Sequence, residues 1–376
     1  MKDLIRKEEK KVEYLELIYD LIFVYIIGRN NSVLHHTADG RLQLPMFVAY
    51  LLFSLAVIQI WNYSTYYINL FGKNGLREHI FLFSNMFLLY FIGEGTNTQW
   101  EQYHTQYHVA WALILLNVAL QYILEYRDHH DDKALQKNIR RVTLTLICEA
   151  LLVLGDIVLF KATGVDASYI PIIFGIVFTM ETSRGSERTA VDFTHLSERA
   201  MLYVVFTFGE MVIAVAGYFE GGLSFGNIYF ALMGFLIVVG LFLSYGTMYD
   251  RIIDREQDND GLWYMFIHII IIFGLGNITT SLEFMRQEQL EVLPKVLYLT
   301  LSFLMYFVPL FMTRRYAKKS CKPTPSFYLK MTALAVSFAV LMIVFRNEMR
   351  INIAISVIYV FIAYALIYRI GKFNRE

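Results

Sequence analysis

The segment Phe225–Thr247 reads FGNIYFALMGFLIVVGLFLSYGT and contains no charged residue. An α-helix rises about 1.5 Å per residue, so a helix of this length crosses the roughly 30 Å hydrocarbon core of a bilayer. An uninterrupted apolar run of this length is typical of a membrane span and not of a helix on the surface of a soluble domain. The segment therefore predicts a transmembrane helix.

The rest of the chain has the same character. Of the 376 residues, 56% are apolar, 16% are aromatic and only 18% are charged. A soluble protein is about half apolar and about a quarter charged. The composition excludes a disordered chain, a coiled coil and a water-soluble globule. It predicts an all-α fold, a polytopic transmembrane helical bundle with the lipid bilayer as its main partner.

Twelve stretches are long and apolar enough to be spans. They are Tyr14–Leu34, Pro45–Leu70, His79–Gly95, His104–Tyr126, Val142–Phe160, Ala167–Thr182, Ala200–Phe219, Phe225–Thr247, Leu262–Phe284, Leu293–Met312, Phe327–Phe345 and Ile351–Ile370. The charged start, residues 1–11, leads into a span that carries two acids, so we expect no cleaved signal peptide.

The basic residues predict the orientation. Most of the 33 lysines and arginines lie in the N-terminal segment, in the loops after even-numbered spans and in the C-terminal tail. Basic residues accumulate on the cytoplasmic side of membrane proteins. We therefore expect a multi-pass protein of the cell membrane with both termini in the cytoplasm. The net charge of zero and the absence of a separate basic domain indicate no nucleic-acid partner, and the two cysteines indicate no disulfide framework.

The chain has a possible internal repeat. The segment Glu16–Gly28 can be aligned with Glu198–Glu210, and six predicted spans separate the two copies. An even number of spans gives both copies the same direction, so we expect two parallel six-helix repeats, residues 1–183 and 184–376. Parallel repeats occur in transporters, with the site where the repeats meet. Chance similarity between apolar helices is the alternative.

Glu16 and Asp20 are the first candidates for chemistry. Their spacing places both carboxylates on one face of the first span. Two neighbouring acids in a membrane favour proton exchange or cation binding, because ionised groups there are costly. The alternative is that Glu16 is solvated at the membrane surface.

His195, Glu198 and Arg199 form the second candidate group. A helix capped by Asp192 or Thr194 would bring the three onto one face, where they could share a proton or bind a carboxylate. An interfacial salt bridge is the structural alternative.

Two further ionisable residues lie in apolar runs. Glu210 is predicted beyond the midplane of the seventh span and His268 well inside the ninth. We expect Glu210 to lie in the protein interior near Asp20 or His268, because an acid at that depth needs a partner. A neutral acid used in helix packing, or a packing histidine, are the alternatives.

Other polar features have simpler interpretations. Glu149 and Asp156 share a face of the fifth span, and Asp156 is predicted to be solvated near its outer end. The aromatic runs Trp61–Tyr67 and Trp100–Tyr103 are typical of interfacial belts, with a substrate-stacking wall as the alternative. Soluble-enzyme signatures are missing, so an enzyme is the less favoured interpretation, and we predict no cofactor and no metal site.

Two of these stretches together resemble the bacterial low temperature requirement protein A family. The first is Val12–Tyr25, which is similar to a Glu-Leu-hydrophobic-Phe-Asp-Leu-Val-Phe-Val pattern, with Tyr19 in place of the usual Phe. The second is His195-Leu-Ser-Glu-Arg199 followed by Gly209-Glu210. The resemblance covers nearly the whole chain, although the second span lacks the usual Trp-rich run apart from Trp61. It implies that the acids, the histidine and the arginine of these motifs occupy family positions, and it leaves their chemistry open.

Three functions fit these features. The leading hypothesis is a proton-linked secondary transporter of an unknown small molecule or ion. The alternatives are a cation channel with duplicated six-span repeats and an intramembrane enzyme that acts on lipid. The sequence predicts neither the substrate nor the oligomeric state.

Overall fold

The protein is an α-helical bundle in a computed structural model that describes residues 10–31, 34, 37–38, 41–42, 44–95, 100–184, 191–219, 222–286, 291–321 and 323–372. Within these ranges the α-helices are α1 Tyr14–Asn31, α2 Leu44–Phe71, α3 Leu76–Gly95, α4 Trp100–Asp128, α5 Lys133–Thr163, α6 Tyr169–Arg184, α7 Phe193–Ala216, α8 Phe225–Thr247, α9 Leu262–Arg286, α10 Val292–Met312, α11 Pro325–Val344 and α12 Met349–Lys372.

Each predicted span coincides with one of these helices. By length and composition, nine helices of the described chain can cross a membrane: all except α1, α3 and α6. The predicted all-α membrane bundle is therefore confirmed, whereas the count of twelve spans stays a prediction. Several helices are longer than the predicted spans. The clearest case is α5, which begins nine residues before Val142 because the Asp132 side chain caps it by accepting the Leu135 N–H at 2.9 Å.

Between α1 and α2 lies a short antiparallel hairpin. Its strands are β1 Thr37–Ala38 and β2 Arg41–Leu42. Residues 32–33, near the end of the first predicted span, fall outside the described residues. So do residues 185–190, which follow the predicted boundary between the halves.

The chain divides into two compact units. The first comprises Met1–Asn30, Leu51–Leu202 and Glu256–Met265, and the second comprises Asn31–Tyr50, Tyr203–Arg255 and Phe266–Glu376. Each unit contains segments of both predicted halves. Compactness does not test whether the halves are duplicates, so the repeat stays a prediction.

In the first unit, α4 packs against α3 and α5, and α5 packs against α6. The α5 helix illustrates how the unit is arranged for lipid. Its outward positions Leu144, Leu151 and Val158 are exposed apolar side chains, whereas Glu149 and Asp156 are buried. This is the reverse of a soluble amphipathic helix and is the arrangement expected where lipid surrounds the bundle.

In the second unit, α8 packs against α12, and α11 packs against α10 and α12. Aromatic rings form its core: Phe338 stacks on Tyr359 with 4.2 Å between ring centroids, and Phe303 meets both rings edge-on. The Tyr306 hydroxyl donates to the Leu241 carbonyl at 2.8 Å and so ties α10 to α8.

Candidate functional site

The acids of α1 face the beginning of α7 in the first unit. Glu16 is 3% exposed and Asp20 is fully buried. They lie one helical turn apart on the same face of α1, as their spacing predicts. The face of α7 that meets these acids carries His195 and Arg199, which are both fully buried and also one turn apart.

Arg199 bridges the two carboxylates. Its Nη2 donates to Asp20 Oδ1, its Nε donates to Asp20 Oδ2 at 3.3 Å, and its Nη1 lies 3.2 Å from Glu16 Oε2. The indole Nε1 of Trp61 donates to Asp20 Oδ1 at 2.7 Å. The same ring lies 5.9 Å from the guanidinium carbon, within cation–π range. The arginine is therefore held by both acids and by an aromatic face, which is what a buried cation requires.

His195 joins the network through Glu16. Its Nε2 lies 3.3 Å from Glu16 Oε2, and its Nδ1 lies 3.1 Å from the Asn69 side-chain nitrogen. Asn69 has a fixed orientation because its oxygen accepts the Asp192 N–H at 3.0 Å and its nitrogen donates to the Asp192 carbonyl at 2.8 Å. The Asn69 amide therefore donates to Nδ1, and the imidazole hydrogen is on Nε2, facing Glu16.

The charge balance of this network is its main chemical property. With a neutral His195, two carboxylates face one guanidinium, and one negative charge remains inside the protein. A buried uncompensated charge is costly, so a proton or a cation is favoured there. The network is thus one positive charge short of neutrality.

A cavity of about 320 Å³ gives this network a route to water. Glu16 lines it, together with Lys10, Lys73 and Glu78 among other residues. Burial lowers the pKa of the Lys10 ammonium, against the opposing attraction of Glu16 and Glu78. The Lys10 Nζ donates to the Ile68 carbonyl at the end of α2. Glu16 is therefore the member of the network that solvent approaches first.

Three predicted site residues lie elsewhere. Glu198 is on α7 but half-buried, and it takes no part in the contacts that join His195 and Arg199 to α1. Glu210 and His268 belong to the second unit. Glu210 is half-buried and interacts electrostatically with Glu283, while the His268 Nε2 lies 3.0 Å from the Tyr245 hydroxyl.

Sequence reasoning missed Trp61, Asn69 and Lys10 as parts of the site. Trp61 was assigned to an interfacial belt, but it is fully buried against Asp20. Asn69 and Lys10 carry no recognisable pattern in the sequence. Asp192, predicted as a cap of α7, does cap it by accepting the His195 N–H at 3.1 Å.

Another buried acid of the first unit belongs to a separate polar cluster. Glu149 is fully buried and accepts a hydrogen bond from the Tyr63 hydroxyl at 2.6 Å. The Gln59 amide donates to the same hydroxyl at 3.0 Å. A Cβ at Gly175 of α6 would lie 2.5 Å from both Glu149 Oε2 and Tyr63 Oη, so this glycine allows α6 to approach the cluster.

A comparison with known protein families identifies the chain. The model of the bacterial low temperature requirement A protein matches residues 11–363, nearly the whole length. The chain belongs to the bacterial low temperature requirement A family. No curated protein and no solved structure matches it. As a member of this family, with nine helices among its described residues that can cross a membrane, the chain is a multi-pass membrane protein. The low temperature requirement A match covers both motifs that supply the network.

Proposed function

We propose that this protein is a proton-linked secondary transporter of the cell membrane, with cytoplasmic termini, that moves an unidentified small molecule or ion. The buried network of Glu16, Asp20, His195 and Arg199 carries the proposal. A site that is one positive charge short of neutrality binds either a proton or a cationic group. When a proton and a cationic substrate compete for one site, the transport of one is coupled to the transport of the other.

Glu16 is the proposed proton carrier. Asp20 is already engaged by Arg199 and Trp61, so its charge is compensated locally. Glu16 borders the cavity and shares the guanidinium only through Nη1. A proton that arrives from the cavity therefore neutralises Glu16 with the least loss of existing hydrogen bonds.

His195 positions this carboxylate. Because Asn69 donates to Nδ1, the imidazole presents Nε2–H to Glu16 whether or not the acid is ionised. That bond is stronger when Glu16 is charged, so His195 adjusts how readily the proton leaves. Glu210 and His268 are proposed as further relay positions, each in the second unit.

Flux measurements with purified protein in liposomes test the proposal. Glu16→Gln preserves the shape of the side chain but cannot release a proton. Glu198→Gln is the matched control, because it removes an acid at the start of α7 that lies outside the network. Alkali cations, amino acids and small carboxylates would be applied in turn across an imposed pH gradient, with currents recorded on a solid-supported membrane.

We expect saturable currents that follow the pH gradient in the wild type and in Glu198→Gln, and no gradient dependence in Glu16→Gln. Single-channel currents would indicate a channel instead, and altered lipid products without flux would indicate an enzyme. Equal gradient dependence in Glu16→Gln and the wild type would remove Glu16 from the mechanism.

A further inference from the structure

A second cluster of side chains that can bind a metal or exchange a proton lies near the start of α4. It comprises His104 and His108 of α4, Asp156 of α5 and Asp166 of the loop between α5 and α6. Each offers one nitrogen or oxygen atom, and these four atoms lie within 4.8 Å of one another. None of these four residues takes part in the contacts of the proposed proton site, so the cluster is separate from it.

The hydrogen bonds of His108 determine which nitrogen faces the cluster. Its Nδ1 lies 2.8 Å from the His104 carbonyl, which can only accept, so Nδ1 carries a hydrogen. In the neutral ring Nε2 then has a lone pair, and it lies 2.9 Å from the Ser168 hydroxyl and 3.0 Å from Asp156 Oδ2. The Ser168 hydroxyl donates its hydrogen to Asp166 at 2.6 Å, so Nε2 and Oδ2 face each other as acceptors. Two acceptors at this distance repel each other unless a positive charge lies between them.

His104 also directs its Nε2 at Asp156. It is fully buried, and neither of its ring nitrogens has a hydrogen-bond partner among the described residues. Its Nε2 lies 3.3 Å from the same Asp156 Oδ2. Its ring is stacked between His108, at 4.0 Å, and Phe160, at 3.9 Å. An unpartnered buried imidazole is costly, and it is aimed at the centre of the cluster.

Protonation balances the cluster less well than a divalent ion does. A proton on His108 alone would pair its Nε2 with Asp156 Oδ2, but one imidazolium against two aspartates leaves one negative charge. Two imidazolium rings stacked at 4.0 Å inside the protein would repel each other. One divalent cation shared by two neutral imidazoles and two aspartates leaves the cluster with no net charge. It also binds both Nε2 atoms at once, with the hydrogen of the His104 ring on Nδ1.

The aspartates are already oriented by their neighbours. Asp156 Oδ1 accepts the Ala167 N–H at 2.8 Å, which leaves Oδ2 directed at the histidines. Asp166 accepts the Trp100 indole N–H at 2.8 Å and the Ser168 hydroxyl at 2.6 Å. Bonds of this kind hold metal ligands in place in known sites.

We propose that His104, His108, Asp156 and Asp166 bind a divalent transition-metal ion, with zinc as the best fit. Two imidazole nitrogens and two carboxylate oxygens form a donor set that zinc accepts in tetrahedral geometry. With bonds of about 2.0–2.2 Å, tetrahedral ligand atoms are about 3.4 Å apart. The two Nε2–Oδ2 separations of 3.3 and 3.0 Å are already close to this spacing.

The position of the cluster allows an ion to enter from water. Asp166 follows the end of α5 at Gly164 and is not buried, whereas the histidines lie within the first three turns of α4. Magnesium prefers an octahedral shell of oxygen atoms and retained waters, so we expect the site to discriminate against it.

Metal content and affinity test the site directly. The full-length protein in detergent would be stripped with EDTA and titrated with Zn²⁺, Mn²⁺ and Mg²⁺ by calorimetry, and bound metal would be counted by mass spectrometry. We expect one tightly bound Zn²⁺ per chain, weaker Mn²⁺ and no detectable Mg²⁺. Asp156→Asn should weaken Zn²⁺ binding at least tenfold. His130→Gln, an exposed histidine outside the cluster, should bind as the wild type does.

A second measurement covers variants that fail to fold. X-ray absorption of the Zn²⁺-loaded wild type should show two imidazole ligands and only light N or O donors. Wild-type protein that binds no Zn²⁺, or a zinc spectrum without paired imidazoles, would overturn the proposal. Unchanged affinity in a folded Asp156→Asn variant would do the same.

Discussion

The pairing of Asp20 with Arg199 can be tested by a double-mutant cycle. Asp20→Asn keeps the size of the side chain and an oxygen for the Trp61 indole, but it leaves a fully buried guanidinium with only Glu16 as counterion. Arg199→Met removes the cation and leaves two buried carboxylates. Removing one partner of a buried ion pair costs about 3–5 kcal/mol, so we expect each single variant to lose about that much stability.

The double variant Asp20→Asn with Arg199→Met should lose much less stability than the sum of the losses in the two single variants. It removes both charges of the Asp20–Arg199 pair and leaves Glu16 paired with His195, whose Nε2 lies 3.3 Å away. The two singles together would cost about 6–10 kcal/mol if they were independent, whereas the double should cost about as much as one single or less. The expected coupling is therefore about 3 kcal/mol or more.

Equilibrium unfolding in mixed detergent and SDS micelles, followed by circular dichroism, measures these free energies. Glu198→Gln serves as the control, since it removes a half-buried acid of α7 from outside the network, and it should change stability by less than about 1 kcal/mol. Additive effects, with a coupling below about 0.5 kcal/mol, would show that Asp20 and Arg199 do not interact in the folded protein. The charge balance proposed for the site would then be wrong.

Three other perturbations have defined outcomes. Gly175→Ala should destabilise the protein by about 1–3 kcal/mol in the same unfolding assay, because its Cβ would enter the buried polar cluster of α2 and α5. The control Gly155→Ala should be neutral or slightly stabilising, because its Cβ meets no atom within 4 Å. Equal effects of the two variants would contradict the close packing of α6. Glu210→Gln should leave the melting temperature nearly unchanged and alter the pH dependence of flux, and identical pH profiles would exclude it from the relay. Reporter fusions at position 164 and at the C-terminus should give opposite signals, and an extracellular C-terminus would refute the predicted orientation.

The helices could be predicted from the sequence because hydrophobic length determines them directly. Each of the twelve predicted spans coincides with a helix, and the boundary error at α5 came from the polar turn that Asp132 caps, where hydropathy carries no signal. Which of the helices cross a membrane is harder to predict. The α1 helix carries two acids in its apolar run, so composition alone does not classify it.

The two sites differ in how far the sequence reveals them. The sequence identifies two pairs of site residues by their helical spacing, Glu16 with Asp20 and His195 with Arg199. Spacing along a helix does not show that the two pairs contact each other, which depends on how α1 and α7 pack. Glu198 is three residues from His195, which is also a helical spacing, and it lies outside the network. The proposed metal cluster could not be predicted although His104 and His108 also have helical spacing, because its other members come from α5 and a loop.

The four tryptophans of this chain give it a built-in optical readout. The Trp61 indole donates to Asp20 in the proposed proton site, and the Trp100 indole donates to Asp166 in the proposed metal cluster. Indole emission responds to the charge of the group that its N–H contacts. Replacement of Trp111 and Trp263 by Phe would leave one fluorophore in each proposed site. Ligand binding at either site could then be followed in the same unlabelled sample by the emission wavelength and the quenching of the indole, while the protein remains in its bilayer.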